Sequence, residues 1–152
     1  MKLLSPLSTI LFLFAGLASA QSGGVLGDWK TKAGSIVRVE RCGAEVCMRI
    51  AEVLNTGGDT TDLHNPDPTL HTRPLCGLEV GKGFSLTDPD HAAGGTLYDP
   101  KSGKTYRGQM SSDGAMLHLR GYVGIPLFGA SENWTRADGT VKTCDATSKS
   151  GP

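Results

Sequence analysis

The stretch Gly95–Tyr106, GTLYDPKSGKTY, decides the fold of this sequence. Pro100 stands at the second position of a tight turn and Gly103 at its end. Pro presets the backbone angle that the second turn position requires, and Gly is favoured where such turns end. The stretch therefore predicts an antiparallel β-hairpin, with Tyr98 and Tyr106 packed across the two strands.

Strand signals of the same kind continue on both sides of this hairpin. Ser112-Asp113-Gly114 closes a second tight turn, and no 11-residue window shows sustained helical periodicity. The chain has 152 residues and 21 glycines, nearly twice the roughly 11 that average usage gives, which favours many turns and short strands. The predicted fold is all-β: a small antiparallel up-and-down β-barrel of about eight strands, which leaves no exposed sheet edge. The predicted strands are Leu26–Lys30, Ser35–Cys42, Val46–Leu54, Leu78–Thr87, Gly95–Tyr98, Lys104–Met110, Met116–Val123 and Glu132–Arg136.

The first twenty residues predict a secretory signal peptide. Lys2 supplies the charged start, residues 10–14 form the centre of an apolar stretch, and Ala18-Ser19-Ala20 is a small-residue cleavage pattern. The apolar stretch is too short for a membrane anchor. We therefore expect a signal peptide over 1–20, a barrel domain over 21–137 and a polar, flexible tail over 138–152. The expected location is the periplasm or the medium, with no membrane span after cleavage.

Four cysteines in an exported chain of this size indicate disulfides. If Cys42 faces Cys47 in a hairpin, Glu40 lies opposite Arg49 and Val39 opposite Ile50, which pairs opposite charges on one face and apolar side chains on the other. This consistency favours a Cys42–Cys47 bridge, and elimination then leaves Cys76 with Cys144. The cysteine spacings match no zinc pattern, so no metal site is expected.

Charge and titratable residues exclude some functions. Fifteen Lys and Arg balance fifteen Asp and Glu, so a nucleic-acid-binding surface is not expected, and no basic run indicates an anionic membrane surface. The four histidines are dispersed, without the short spacing of a local metal site. No nucleophile motif is present either. The sequence therefore predicts neither catalytic residues nor a cofactor.

One polar stretch, residues 55–74, interrupts the strand rhythm. It contains Asp59, Asp62, His64, Asp67 and several Gly and Pro residues. Loops of this length are uncommon and are often functional. We expect either a polar surface loop or a lid over the barrel mouth. The carboxylates of this stretch do not follow the calcium spacing of an EF-hand.

Several motifs along the chain resemble one bacterial family. Gly27-Asp28-Trp29 at the first strand and Trp134-Thr135-Arg136 at the last are similar to the strand ends of lipocalin-like (calycin) barrels, in which the indole plugs the closed end and a cation lies over it. Four more segments, with these, resemble the family catalogued as domain of unknown function 2147, from about Val25 to Ala137. The four segments are residues 65–68 (NPDP), 73–78 (RPLCGL), 95–106 (GTLYDPKSGKTY) and 119–124 (LRGYVG). The resemblance implies export and a lipocalin-like barrel, with Gly27, Trp29, Trp134 and Arg136 at its base, and the family has no established activity.

Two functional hypotheses follow from a barrel of this kind. In the first, the protein is not an enzyme and binds a small amphipathic ligand, with Tyr98, Tyr106, Arg120 and Tyr122 near the barrel mouth and Arg120 available for an anionic head group. In the second, the barrel is filled by its own side chains and the 55–74 loop recognises another envelope protein.

Overall fold

The structure is a computed structural model that describes residues 23–53, residues 58–137 and Cys144. The expected signal peptide lies outside the described residues, as does the expected tail apart from Cys144. Eight strands and two short 3-10 turns form the described part. They are β1 (Gly27–Lys30), β2 (Ile36–Cys42), β3 (Glu45–Glu52), a 3-10 turn at Pro68–Leu70, β4 (Glu79–Asp88), β5 (His91–Asp99), β6 (Lys104–Ser112), β7 (Met116–Tyr122), a 3-10 turn at Pro126–Phe128, and β8 (Gly129–Arg136).

The eight strands close into one antiparallel barrel in chain order, β1 to β8, as the sequence predicts. Each strand pairs with the next, and β8 pairs back with β1 through Trp29↔Arg136 and Lys30↔Thr135. The decisive hairpin is β5–β6, where Tyr98 pairs with Thr105 and Leu97 with Tyr106. Tyr98 and Tyr106 are therefore on opposite faces of the sheet, and the predicted contact between the two tyrosines is wrong.

Three strands are longer than the sequence predicts. β6 ends at Ser112, two residues after its predicted end, and β5 and β8 are longer because turn-type residues lie inside them. β5 begins at His91 and passes through Gly94 and Gly95, with Gly94 at a φ of 82° where the register shifts. This is the backbone of a β-bulge, in which an extra residue is accommodated without ending the strand. β8 likewise begins at Gly129, three residues before the predicted start.

The alternation of the strands gives the barrel two ends. One end carries the β2–β3, β4–β5 and β6–β7 turns, and we call it the base. The other end carries the β1–β2, β3–β4, β5–β6 and β7–β8 connections, and we call it the mouth. At the base, Trp29 is fully buried and its indole N–H donates to the carbonyl of Val25 at 2.8 Å. The Arg136 guanidinium lies 4.0 Å from the centroid of the Trp29 ring and donates to the carbonyls of Gly24, Leu26 and Gly114. Arg136 therefore fastens the N-terminal segment across the base.

Side chains of this chain fill the middle of the barrel. Trp29, Phe84, Met48 and Leu117 are the largest fully buried side chains. Glycines on neighbouring strands leave the space that two of these side chains occupy: a Cβ on Gly81 would lie 2.6 Å from Met48 Sδ, and a Cβ on Gly95 would overlap the ring of Phe84. The interior at this level is packed protein rather than a ligand chamber.

The β2–β3 hairpin carries the first disulfide. Cys42 and Cys47 are bonded, with their Cα atoms 5.9 Å apart, but Cys42 pairs with Glu45, and Glu40 pairs with Cys47. The register is thus two residues away from the predicted one. The turn is shorter, a two-residue connection with Gly43 at a φ of 69°. A two-residue shift keeps every side chain on its predicted face. The second bridge, Cys76–Cys144, is also present.

Candidate functional site

A buried carboxylate anchors the long β3–β4 connection to the barrel. Asp62 is fully buried, and three side chains donate to it: Tyr98 Oη to Oδ1 at 2.5 Å, Arg73 Nη2 to Oδ2 at 2.5 Å, and Asn65 Nδ2 to Oδ2 at 2.8 Å. Asn65 Nδ2 also donates to Tyr98 Oη at 3.0 Å. Asp62 and its three donors form what we call the Asp62 network. It satisfies the carboxylate in place of water, as a buried charge requires.

The Asp62 network sets the protonation of its members. Burial opposes the ionisation of Asp62, but the hydrogen bonds from Tyr98, Arg73 and Asn65 together outweigh burial, and the pKa of Asp62 is lowered from its usual 3.8. Burial, and then the hydrogen bond to Asp62 and its charge, raise the pKa of Tyr98 to about 12. At neutral pH the network is therefore a carboxylate held by a neutral phenol, an amide and a guanidinium.

The backbone of the connection is folded as well. Thr61 and Pro74 form an isolated β-bridge, and the N–H of Asp62 donates to the carbonyl of Arg73 at 2.8 Å. Asp67 accepts from the N–H of Thr69 at 2.9 Å and so caps the 3-10 turn. The connection lies close enough to the β5–β6 turn that a side chain on Gly103 would overlap the carbonyl of His64. Residues 58–78 therefore form a surface that is held by hydrogen bonds to the barrel and within the loop. We call these residues the anchored loop.

A groove runs between the anchored loop and the outer face of β4–β6. Its volume is about 620 Å³, within the range of small-molecule pockets. Leu78 and Val80 give it an apolar floor, while Lys82, Thr96 and Thr105 contribute an ammonium and two hydroxyls. Lys82 is exposed and pairs with Thr96 across β4–β5. A second depression of about 430 Å³ lies on the outer face of β5–β8, lined by polar side chains including His91, Gln109 and His118.

The four residues expected at a ligand site do not converge. Tyr106 pairs with Leu97 and packs against the barrel core, so it is on the inner face. Tyr98 holds Asp62 and lines the groove. Arg120 and Tyr122 alternate with the buried Leu119 and so point outward. Arg120 donates to the carbonyls of Pro126 and Leu127 and to Ser131 Oγ.

Two features of the candidate site are not predicted from the sequence. Asp62 is taken there as a solvated loop carboxylate, whereas it is fully buried, because its partners Arg73 and Tyr98 are 11 and 36 residues away. Lys82 carries no local signal, because a lysine alternating with buried residues is ordinary on an outward strand face. Only the pairing of β4 with β5, together with the anchored loop, gives Lys82 its surroundings.

Among the described residues, the other groups of titratable side chains form no reactive site. Glu40, Cys42 and Cys47 bring ligand-type atoms within 4.8 Å of one another, but both sulfurs are in a disulfide and are not thiolates. The histidines have separate partners: His64 contacts Asp59, His71 contacts the carbonyl of Asn65, His91 contacts Asp88, and His118 contacts Asn133. Within the described ranges, no helix has the length and apolarity needed to cross a bilayer.

The closed eight-stranded barrel, with Trp29 and Arg136 at its base, defines a lipocalin-like protein. The structure is similar to that of a protein whose description reads "Protein HP1028 from the human pathogen Helicobacter pylori belongs to the lipocalin family". The TM-score is 0.68, the identity is 20%, and the match covers 79% of this chain and 88% of the other. At this identity the likeness concerns the fold alone.

The particular family follows from the sequence match. Residues 27–136 match a family described as "Uncharacterized protein conserved in bacteria (DUF2147)", and the chain belongs to that family. A search of curated proteins finds no match.

Proposed function

We propose that the protein is an exported, non-catalytic binding protein of the bacterial cell envelope, and that it holds a small amphipathic molecule in the groove beside the anchored loop. One observation carries this proposal: a groove of about 620 Å³ combines an apolar floor with the Lys82 ammonium. An amphipathic molecule with an anionic head matches that combination, because its chain meets Leu78 and Val80 while its head meets Lys82.

The barrel interior supports the same location for the ligand. Phe84 and Met48 fill the space that glycines of the neighbouring strands leave, so a ligand at this level would have to displace packed side chains. The groove needs no such displacement, since the Asp62 network already holds its loop wall. Export is supported by the leader pattern of residues 1–20 and by two disulfides.

Native mass spectrometry tests the proposal. The full gene is expressed with its leader in a bacterium, and the protein is purified from the periplasm, delipidated, and reloaded with a total lipid extract of the same cells. We expect a discrete added mass in the wild type, and its loss in Lys82→Glu and in Thr96→Trp, which fills the groove. Arg41→Glu changes the charge by the same amount on an exposed strand end at the base, and should keep the added mass.

Three results contradict the proposal. The first is a wild type that carries no added mass before delipidation or after reloading. The second is a mass that persists in Thr96→Trp, which places the ligand elsewhere. The third is equal loss in Arg41→Glu, which indicates ion pairing without a site.

A second candidate function, recognition of an envelope protein by the anchored loop, has its own support. The loop is held in one conformation, and Leu63 on it is 47% exposed. Crosslinking in periplasmic extract should then give a discrete adduct that Leu63→Ser/His64→Ala abolishes. His91→Ala is the control, since His91 is similarly exposed beside an aspartate at the base. An adduct unaffected by the loop substitutions contradicts this function.

A further inference from the structure

The β7–β8 connection exposes a cluster of large apolar side chains at the mouth. Val123, Ile125, Leu127 and Phe128 are 71%, 53%, 75% and 76% exposed, and only Leu63 joins them as an exposed large apolar residue in the described part of the chain. Single exposed apolar residues are ordinary, but four within six consecutive positions form a contact surface. We call residues 123–128 the apolar tip.

Several backbone groups of the apolar tip have hydrogen-bond partners within the protein. Arg120 donates from Nε to the carbonyl of Pro126 at 2.6 Å and from Nη2 to that of Leu127 at 3.2 Å. The N–H of Phe128 donates to the carbonyl of Ile125 at 3.2 Å, and Pro126 has no N–H to satisfy. Polar backbone groups without partners are what makes a loop costly to bring into a low-dielectric environment. In this loop four of these groups already have partners, while its apolar side chains are exposed.

Exposed lysines are concentrated at the mouth of the barrel. Lys32 in the β1–β2 turn and Lys101 in the β5–β6 turn are exposed at the mouth, with Lys30 and Lys104 at the adjoining strand ends. Among the described residues, none of these four lysines forms an ion pair. The exposed turns at the base carry four carboxylates, those of Glu45, Asp88, Asp90 and Asp113. Arg41 is an exposed cation beside them. The zero net charge of the chain conceals this asymmetry.

Several acidic residues at the mouth make local contacts, whereas Glu52 at the end of β3 has a buried Oε2 without a hydrogen-bond partner. Asp59 contacts His64, Asp67 caps the 3-10 turn, and Asp99 accepts from Ser102 within its own turn. Asp62 is buried in its network. The lysines around the apolar tip therefore remain available to an external anion.

We propose that the mouth docks on the surface of an anionic lipid bilayer, with the apolar tip at the boundary between head groups and acyl chains and the lysines against lipid phosphates. Apolar side chains beside lysines are the combination that binds such surfaces. A second copy of the chain fits less well, because a symmetric contact through the tip would bring the two sets of lysines together. The absence of a basic run in the sequence does not bear on this surface, since the fold gathers its lysines from separate turns.

Vesicle co-sedimentation tests the proposal with the full chain purified from the periplasm of an expression host. The wild type should bind phosphatidylcholine vesicles that contain phosphatidylglycerol, bind pure phosphatidylcholine vesicles weakly, and dissociate at high salt. Leu127→Ser/Phe128→Ser should lower the partition coefficient by tenfold or more, on the order expected for removing two buried apolar side chains. Lys32→Glu/Lys101→Glu should lower binding to the anionic vesicles alone.

Two controls make the result specific. Arg41→Glu removes an exposed cation at the base and should bind vesicles as the wild type does. Far-ultraviolet circular dichroism checks that every variant is folded. We expect all of them to fold, because substitutions at exposed positions usually change stability little.

The proposal is overturned if the wild type stays in the supernatant with anionic vesicles, or if the double serine variant binds as well as the wild type. It is also overturned if analytical ultracentrifugation shows a dimer that the serine substitutions dissociate, because a second copy then covers the tip. These outcomes are independent of the groove, whose ligand is measured by added mass.

Discussion

Tyr98→Phe is the sharpest test of the Asp62 network. The substitution removes one oxygen and leaves the ring in place. It deletes the donor that lies 2.5 Å from Asp62 Oδ1 and the acceptor that lies 3.0 Å from Asn65 Nδ2. A hydrogen bond to a charged group contributes about 1.5–3 kcal/mol, and leaving a buried acceptor without its donor costs a similar amount. We expect the free energy of unfolding to fall by about 2 kcal/mol at neutral pH.

Chemical denaturation followed by tryptophan fluorescence measures this loss, and hydrogen exchange of residues 58–74 locates it. If the anchored loop detaches before the barrel unfolds, exchange in the loop rises more than the midpoint falls. Tyr122→Phe is the matched control, because the Tyr122 hydroxyl has no hydrogen bond to any described residue and the residue is similarly half-buried on the outer face.

The free energy of unfolding at acid pH gives a second test of the Asp62 network. The folded pKa of Asp62 lies below its usual value of 3.8, so the unfolded chain takes up this proton first as the pH falls. The stabilisation by the network is therefore complete above that usual value and is lost as the pH falls through the lowered pKa. The difference between wild type and Tyr98→Phe should shrink over the same window. Equal stability of Tyr98→Phe and Tyr122→Phe, with unchanged loop exchange, would refute the role of the network.

Three further predictions concern the network, the interior and the base. Raising the pH from 10 to 12 should lower the free energy of unfolding of the wild type, because the pKa of Tyr98 is about 12 in the fold and about 10 in the unfolded chain. Denaturation curves of Tyr98→Phe should lack this part of the pH dependence. Gly95→Ala should lower the free energy of unfolding by about 1–3 kcal/mol, because the added methyl group overpacks against Phe84. In the double variant, Phe84→Leu should recover part of that loss. Additive losses would show that the two side chains do not touch. Arg136→Ala should cost about 3 kcal/mol through three carbonyl hydrogen bonds and the Trp29 ring, and Arg136→Lys should restore only a fraction; full restoration by Lys would mean that the planar fork is irrelevant.

The barrel could be predicted because its turns are encoded locally. The Asp99–Gly103 turn of β5–β6 and the Asp113-Gly114 turn of β6–β7 each fix a hairpin from a few adjacent residues. The register of β2–β3 could not be predicted in the same way. A disulfide joins cysteines that are diagonal as well as those directly opposite, so Cys42–Cys47 is compatible with both registers.

The glycines of β5 show why strand ends were missed. Gly95 counts as a turn signal in a single sequence, whereas in the barrel it provides the space for the Phe84 ring of the neighbouring strand. The candidate site was missed for a related reason. Asp62 becomes buried only through Tyr98, 36 residues later in the chain, and no local pattern distinguishes it from the exposed Asp59 and Asp67.

The narrow β1–β8 seam has a consequence for how the chain assembles. All other neighbouring strands are consecutive in sequence and can pair as soon as both have been made. The β1–β8 pair can form only after the last strand has been made. The contact that completes the ring, from Arg136 to the carbonyl of Gly24, spans 112 residues. Until Arg136 emerges, β1 and β7 are open edges of a curved sheet, the kind of surface that recruits other strands. A nascent or truncated chain that ends before β8 should therefore be the form most in need of a chaperone, although it already contains seven of the eight strands.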